Sequence, residues 1–434
     1  MNAPSSPPLA RPRAPSAVVK WITLVFLALS GLYLIIGGGW LVAIGGSPYY
    51  LIAGIVTLVI AWLVLRASPK ALWLYALLLL GTLIWAIAES GFDFWALASR
   101  LDVLVLVGIW MVLPFVLRIY VAPRASGPAA LGVALVLSGV ALGYAAFNDP
   151  QQIDGTVSAA TSAAAETPGK HAGNWLAYGN SQAGTRYSPL AQINDRNVSN
   201  LREAWRFRTG DMKGPNDPLE ITDEVTPLAV DGTLYFCTPH QQAVALDGAS
   251  GKQKWRFDPQ LKPDPSFQHV TCRGVSYYET PAAAQARDTG NPSNLPMSFL
   301  SPVRLPCKQP AWGYVAALDL DTNQVIWKKR IGTTRDSSPI PIPFKMGMPM
   351  LGGPMTTAGH VFFIAATADD YLRAFSTDTG AKLWEARLPA GGQATPMTYE
   401  ANGKQYVLIA AGGHGSFLTK LGDYVIAYAL PDNH

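Results

Sequence analysis

"ALDGASGKQKWRF" at 245–257, "ALDLDTNQVIWKK" at 317–329 and "AFSTDTGAKLWEA" at 374–386 are one phrase written three times. In each, a turn opens on Asp247, Asp319 or Ser376. Four positions on stands Gly251, Asn323 or Gly380, residues that tolerate left-handed backbone angles, and four beyond that stands Trp255, Trp327 or Trp384. Strand, polar turn, then a strand carrying Trp is the signature of stacked four-stranded blades. The indole lays a broad apolar face between neighbouring blades and brings an N–H that needs an acceptor. Trp205, in "LREAWRF" at 201–207, is a fourth, partial copy. Ordinary turn chemistry explains one such phrase; three at equal spacing require a repeat.

The surrounding text agrees. "EVTPLAVDGTLYFCTP" (224–239), "GYVAALDL" (313–320), "HVFFIAATADDYLRAFS" (360–376) and "KQYVLIAAGG" (404–413) alternate Val, Tyr, Phe and Ile between Gly, Asp and Asn, which predicts short antiparallel strands. No long helical pattern competes after residue 170.

The first 150 residues are of another kind. Five apolar runs, roughly 19–40, 49–65, 71–88, 103–121 and 129–147, each approach the ~20 residues that a helix needs to cross a ~30 Å hydrocarbon core. The first follows Arg11, Arg13 and Lys20, as a signal peptide would, yet four more runs follow, and it reads as a retained helix. Arg66, Lys70, Arg118 and Arg124 fall in loops on the same side as the N-terminus, whereas Arg100 faces the other side among Glu89, Asp93 and Asp102. Basic residues stay cytoplasmic, so the part after the fifth run is expected outside: in a bacterium, a multi-pass inner (plasma) membrane protein with its C-terminal domain in the periplasm. The expected organisation is an anchor at 1–148, a linker at 149–170 rich in Ala, Ser, Thr and Gly, and a propeller domain at 171–434.

All of the net charge of +4 lies in residues 1–150; residues 151–434 carry 25 basic and 25 acidic residues. That balance speaks against nucleic-acid binding. Cys237, Cys272 and Cys307 lie in the exported part, where disulfides persist. Their odd number leaves one unpaired, and the spacing does not choose the pair. No CxxC or Cys/His spacing suggests zinc.

"GNWLAYGNSQAGTRYSPLAQINDRNVSNLREAWRFRTGD" (173–211), "EVTPLAVDGTLYFCTPHQQAVALD" (224–247) and "GGQATPMTYEANGKQYVLIAAGGHGSF" (391–417), behind five apolar runs, resemble the membrane-bound quinoprotein glucose dehydrogenases over nearly the whole chain. The resemblance implies an all-β, eight-bladed propeller behind a five-helix transmembrane domain. It also implies pyrroloquinoline quinone (PQQ) with Ca2+ or Mg2+ as cofactors, oxidation of a glucose-type sugar to its lactone, and ubiquinone in the lipid bilayer as electron acceptor. One departure is large. The sequence holds about four blades' worth of signals, and "PAAAQARDTGNPSNLP" (281–296) joins text like the second blade to text like the penultimate one. The family's central blades, which carry its catalytic Asp, have no counterpart, so the catalytic residue stays unassigned. An inactive shortened relative and a membrane-tethered binding or scaffold module are the alternatives to an enzyme, and the oligomeric state stays open.

Carried over position by position, the resemblance implies cofactor contacts at Glu224, His240 and His414, with His269 and Arg273 bordering the same pocket. It implies metal influence at Asp369 and a quinone contact at the Arg100-x-Asp102 pair, residues that composition alone would read as interfacial anchors. Asp369 and Asp370, read as strand residues, are expected to point to opposite faces.

Overall fold

The computed structural model describes residues 14–120, 126–157, 172–181, 183–218, 220–260, 269–272, 274–275, 312–319, 322, 324–337 and 341–432. It divides into two compact units, Met1–Pro150 and Gln151–His434. The 281–296 junction, Arg273, Cys307 and Asn323 lie outside the described residues.

The first unit is helical: α1 (Ala14–Ala43), α2 (Tyr49–Leu65), α3 (Lys70–Ser90), α4 (Phe94–Val112), α5 (Pro114–Leu117) and α6 (Ser126–Phe147). Among the described residues, α3, α4, α6 and the Ala17–Ala43 stretch of α1 are long and apolar enough to span a membrane. The expected second span, α2, is apolar but has only 17 residues, about 26 Å of helix against a ~30 Å core. α1 and α2 pair closely because glycines face each other: a Cβ on Gly54 would stand 2.9 Å from the Gly31 carbonyl oxygen. Small residues at the seam let membrane helices approach in this way.

The expected fourth span is displaced. Where hydropathy indicates 103–121, the helix begins at Phe94 and ends at Val112. Asp93 caps its start, its side chain accepting from the Trp95 and Ala96 amides. Pro114 ends it, lacking the N–H that continuation would need and restarting the chain as the first residue of α5. Arg100 and Asp102 therefore sit not at a helix start but about two turns inside one.

The second unit is an arc of twisted sheets. Blade 1 is a two-stranded half-blade, Tyr314–Asp319 with Gln324–Arg330. Blade 2 runs Met355–Thr357, Val361–Ile364, Tyr371–Ser376, Lys382–Arg387, with Tyr187–Ser188 added in parallel on its inner edge. Blade 3 takes Met397–Ala401, Lys404–Ala411 and Tyr424–Ala429 from the C-terminus and Arg202–Arg208 from the beginning of the unit as its outer strand. Blade 4 is Leu228–Val230, Thr233–Cys237, Ala243–Asp247 and Gln253–Phe257. Among the described residues, three of these sheets have four strands or more and one has two.

The tryptophans work as the repeat expects, with one exception. Trp205 of blade 3 donates its indole N–H to the Gly248 carbonyl of blade 4 at 3.0 Å. Trp327 of blade 1 donates to Thr377 of blade 2 at 2.9 Å. Gly251 and Gly380 sit beneath these rings at φ +68° and +67°, and a Cβ there would come within 2.5 Å and 2.6 Å of the indole atoms. Trp384 of blade 2 meets Tyr428 of blade 3 edge to face at 5.2 Å. Trp255, expected between blades, is instead 47% exposed, because no described blade follows blade 4.

A short parallel pair, Glu220–Asp223 with His269–Cys272, departs from the all-antiparallel expectation. A Cys237–Cys272 disulfide fixes it to blade 4 and settles which cysteines pair.

Candidate functional site

The helical unit holds a cavity of about 460 Å³, within the range of small-molecule sites. Arg100 and Asp102 both line it, with Tyr49, Tyr75 and Trp85. Tyr49 and Trp85 stack at 3.8 Å with planes 3° apart, and the Tyr49 hydroxyl is hydrogen-bonded to Thr82 at 2.5 Å. The Arg100 guanidinium lies 5.5 Å over the Trp85 ring and 3.6 Å from Glu89. One of its terminal nitrogens donates to the Ala96 carbonyl at 2.9 Å, while its Nε is buried with no hydrogen bond. Asp102 accepts from the Val103 amide at 2.6 Å. A charged pair two turns inside an apolar helix marks a functional position by default, and an unsatisfied buried donor costs roughly 1–3 kcal/mol unless something supplies an acceptor.

In the second unit, the parallel pair positions a second cluster. His414 Nε2 lies 3.2 Å from Glu224 and its Nδ1 lies 3.1 Å from Glu220. The Ser416 amide also donates to Glu220, at 3.0 Å. His269 is hydrogen-bonded through Nε2 to the Thr222 hydroxyl at 2.7 Å, and its ring lies 5.9 Å from that of His414. Burial acts to raise the Glu220 pKa, but Ser416 and the two histidines together hold it below its ordinary value. Gly412 allows the close approach: a Cβ there would fall 2.2 Å from the Asp223 side chain.

Of the sequence-predicted residues, Glu224 and His414 are brought together and His269 borders them. His240 is not part of this cluster. Its Nδ1 is bonded to Asp211, its Nε2 lies 2.9 Å from Asp217, and its own amide donates to Asp211 at 2.9 Å. Burial acts to lower its pKa, but the two carboxylates raise it on balance. With both ring nitrogens taken, His240 is a loop clasp with no free nitrogen to offer a cofactor.

Asp369 is likewise occupied. It belongs to a turn before the Tyr371–Ser376 strand, not to the strand, and Asp369 and Asp370 are both buried. Arg373 grips both of its oxygens, and Thr333 and Thr367 donate to them at 2.7 Å and 2.6 Å. Burial acts to raise the Asp369 pKa, but Arg373 outweighs it and holds the group ionised. A cation is already in place where a calcium ion was expected. Among the described residues, no three His, Cys, Asp or Glu side chains converge as metal ligands.

Sequence reasoning missed Asp223. It is fully buried beside Glu224, and both oxygens are without a hydrogen bond of ordinary geometry. Burial pushes its pKa up to about 7; the Val225 amide opposes the rise, and the charges of Asp211, Asp423 and Glu224 add to it. Nothing in "TDEVTP" distinguishes it from a solvated strand-end acid.

Comparison with known proteins supplies the frame. The PQQ-type glucose/ethanol/alcohol dehydrogenase β-propeller family matches residues 175–290 and again 284–407. Quinoprotein glucose dehydrogenase of Escherichia coli (strain K12) is 35% identical over an alignment of 781 positions, which covers 95% of this chain and 98% of that protein. Quinoprotein glucose dehydrogenase A of Acinetobacter calcoaceticus is 30% identical over 788, with the same shares. Among solved structures, quinohemoprotein alcohol dehydrogenase ADHIIG from Pseudomonas putida HK5 covers 65% of this chain and 83% of its own at a TM-score of 0.39 and 16% identity. An alignment of 781 positions outnumbers the 434 residues of the chain by 347, so at least that many positions face no residue here.

Proposed function

The chain belongs to the membrane-bound quinoprotein (PQQ-dependent) glucose dehydrogenases, and from that premise we propose that its helical unit binds ubiquinone as the terminal electron acceptor. The observation that carries this reading is the Arg100 Nε, buried and unbonded at the wall of an apolar cavity. A quinone carbonyl is the acceptor this donor lacks, and the Trp85–Tyr49 stack offers a flat face to a quinone ring. The Arg100 guanidinium, on the cavity wall, would hold the carbonyl oxygen of a bound quinone. Asp102 lies on the same cavity wall. Following the loop charges, the unit from 151 to 434 lies on the periplasmic side of a bacterial inner membrane.

The second part of the reading concerns the sugar side. In the family reaction PQQ accepts two electrons from the substrate, with a divalent ion as Lewis acid. We propose that a single copy of this chain does not assemble the centre that would oxidise a glucose-class aldose to its lactone. The 347 alignment positions without a residue support this, as do the engagement of Glu224 with His414 and the saturation of Asp369 by Arg373. No catalytic step through the cofactor follows from the residues present.

Both parts are testable on one purified sample of the full chain. A short-chain ubiquinone should quench tryptophan fluorescence saturably, and Arg100→Leu should weaken that binding at least tenfold; undiminished binding by the variant would sink the quinone reading. PQQ with Ca2+, then glucose and a reducible dye, should give no turnover. Stoichiometric cofactor binding with glucose-dependent dye reduction would overturn the second part and leave the first standing.

A further inference from the structure

The walls of the Arg100 cavity differ in burial. Its back comes from α2 and α3, where Ala53, Thr57, Tyr75 and Leu78 are at most 8% exposed. Its front comes from α1 and α4. There Phe26, Leu29 and Tyr33 are 47%, 63% and 78% exposed, and Val103 is 53% exposed. A side chain that lines a cavity and also faces outward belongs to the rim of an opening. Leu29 and Tyr33 lie one turn apart on the same face of α1, so the rim follows that helix.

Helix packing explains the opening. α1 packs on α2, α2 on α3 and α3 on α4, so the row curls round the cavity and leaves α1 and α4 as its two jambs. At one end of the gap the jambs are pinned together. The Trp110 indole of α4 donates to the Thr23 hydroxyl of α1 at 2.9 Å, and the short α5 packs back on α1. Arg100 stands ten residues before Trp110 and Tyr33 ten after Thr23, which puts both about 15 Å from the pin, towards the open end. The chain is described without a break from Ala14 to Tyr120, so the four helices that frame the gap and the loops between them are all accounted for. α1 and α4 are both long and apolar enough to span a membrane, and a gap between them opens into hydrocarbon.

We infer that the gap between α1 and α4 is a lateral portal to the bilayer, through which the quinone enters ring first and in which its isoprenoid tail stays, between Leu29 and Val103. The inference rests on the quinone reading and adds to it a route and a place for the tail. The orientation follows from the polar groups. The Arg100 Nε is buried inside the cavity, whereas Phe26, Leu29 and Val103 at the rim are apolar, so the ring goes in and the tail remains outside.

Lipid tails are as apolar as leucine, so the jambs give an isoprenoid chain little that the surrounding bilayer does not. What the portal supplies is space. A substitution that fills this space therefore acts on a quinone with a tail and spares one without.

The test measures quenching of tryptophan fluorescence by two quinones on the full chain in lipid nanodiscs: ubiquinone-0, which has no tail, and ubiquinone-2, which has two isoprene units. Partition into the lipid is the same for wild type and variant and cancels in their ratio. Leu29→Phe combined with Val103→Phe should weaken ubiquinone-2 at least tenfold and change ubiquinone-0 less than twofold. Ile36→Phe, at a position on α1 that is 73% exposed but outside the cavity, should leave both unchanged. Equal loss of the two quinones in the double variant would put the ring at the rim and overturn the portal while the quinone site stands. Loss of neither would send the tail out by another face and overturn it too. Failure of the wild type to bind either quinone would be the failure of the quinone reading itself, and the portal would fall with it. On the wild type, a ubiquinone with a diazirine at the end of its tail should label peptides of α1 and α4; labelling confined to α2, α3 or α6 would refute the portal.

Discussion

Asp369 and Asp223 are both buried carboxyl groups, and their surroundings shift them in opposite directions: Asp369 is held ionised, whereas burial pushes Asp223 up. Asp369 is clamped by Arg373 and two threonines. Removing one member of such a pair leaves an uncompensated buried charge, so Asp369→Ala should cost about 3–5 kcal/mol, read as a lowered denaturation midpoint with no dependence on added calcium. A calcium-dependent midpoint would return this residue to the metal. Asp223 has no such partner, and its pKa rises to about 7. An unfolded Asp loses its proton near pH 4, so between about 4 and 7 the native state binds more protons than the unfolded one. Stability from this group is full below 4 and is lost as the pH rises through 7. Asp223→Asn should be neutral at pH 4 and stabilise by on the order of a few kcal/mol at pH 8; an equal effect at both would show a partner that holds the charge. What the sequence revealed at this scale follows from distance along the chain. Glu224 and His414 were singled out because the motifs around them, DEVTP and GGHGSF, carry the family resemblance. The clasp on His240 was not, since Asp211 and Asp217 reach it from a loop 29 and 23 residues away. His269 reaches the cluster through a parallel pairing across 49 residues, Glu220 opposite His269, which no local pattern announces.

At the scale of elements, local rules were sufficient where the signal is local. The turn phrases placed six strands and the glycines beneath two indoles, and these glycines are a sharp test of the packing. Gly251→Ala combines a left-handed φ with a Cβ 2.5 Å from the Trp205 ring. It should cost about 2–4 kcal/mol, whereas the same change at Gly403, also at positive φ but with nothing within 4 Å, should cost only the backbone strain, about 1 kcal/mol. Equal losses at both would mean that Trp205 does not rest on Gly251. Hydropathy marked five apolar runs, of which four correspond to described helices long enough to span a membrane, and it misplaced the fourth, because it averages over the residues that end helices. Asp93 and Pro114 fix α4 nine residues earlier than the apolar run suggests. That shift carries Arg100 and Asp102 inside the helix and turns an anchor-like pair into the wall of a cavity.

For the whole molecule, the change from apolar runs to turn-rich strands near residue 150 gave the two-part organisation, and the double family match at 175–290 and 284–407 accords with the repeat phrases. The phrases number the outer strands but not the inner strands that accompany them; among the described residues blade 1 shows two strands. The Cys237–Cys272 bond joins residues 35 apart, tying the end blade to the parallel pair that carries His269. Loop-closure entropy at that length is worth about 3–4 kcal/mol. Reduction should therefore lower the unfolding midpoint of the 151–434 unit by that amount and loosen His269 before it affects blades 2 and 3, a sequence that hydrogen exchange would follow residue by residue. If reduction leaves the midpoint unmoved, or if the bond fails to form in protein exported from the cytoplasm, the orientation drawn from the loop charges loses its chemical support, since a reducing compartment would not keep such a bridge.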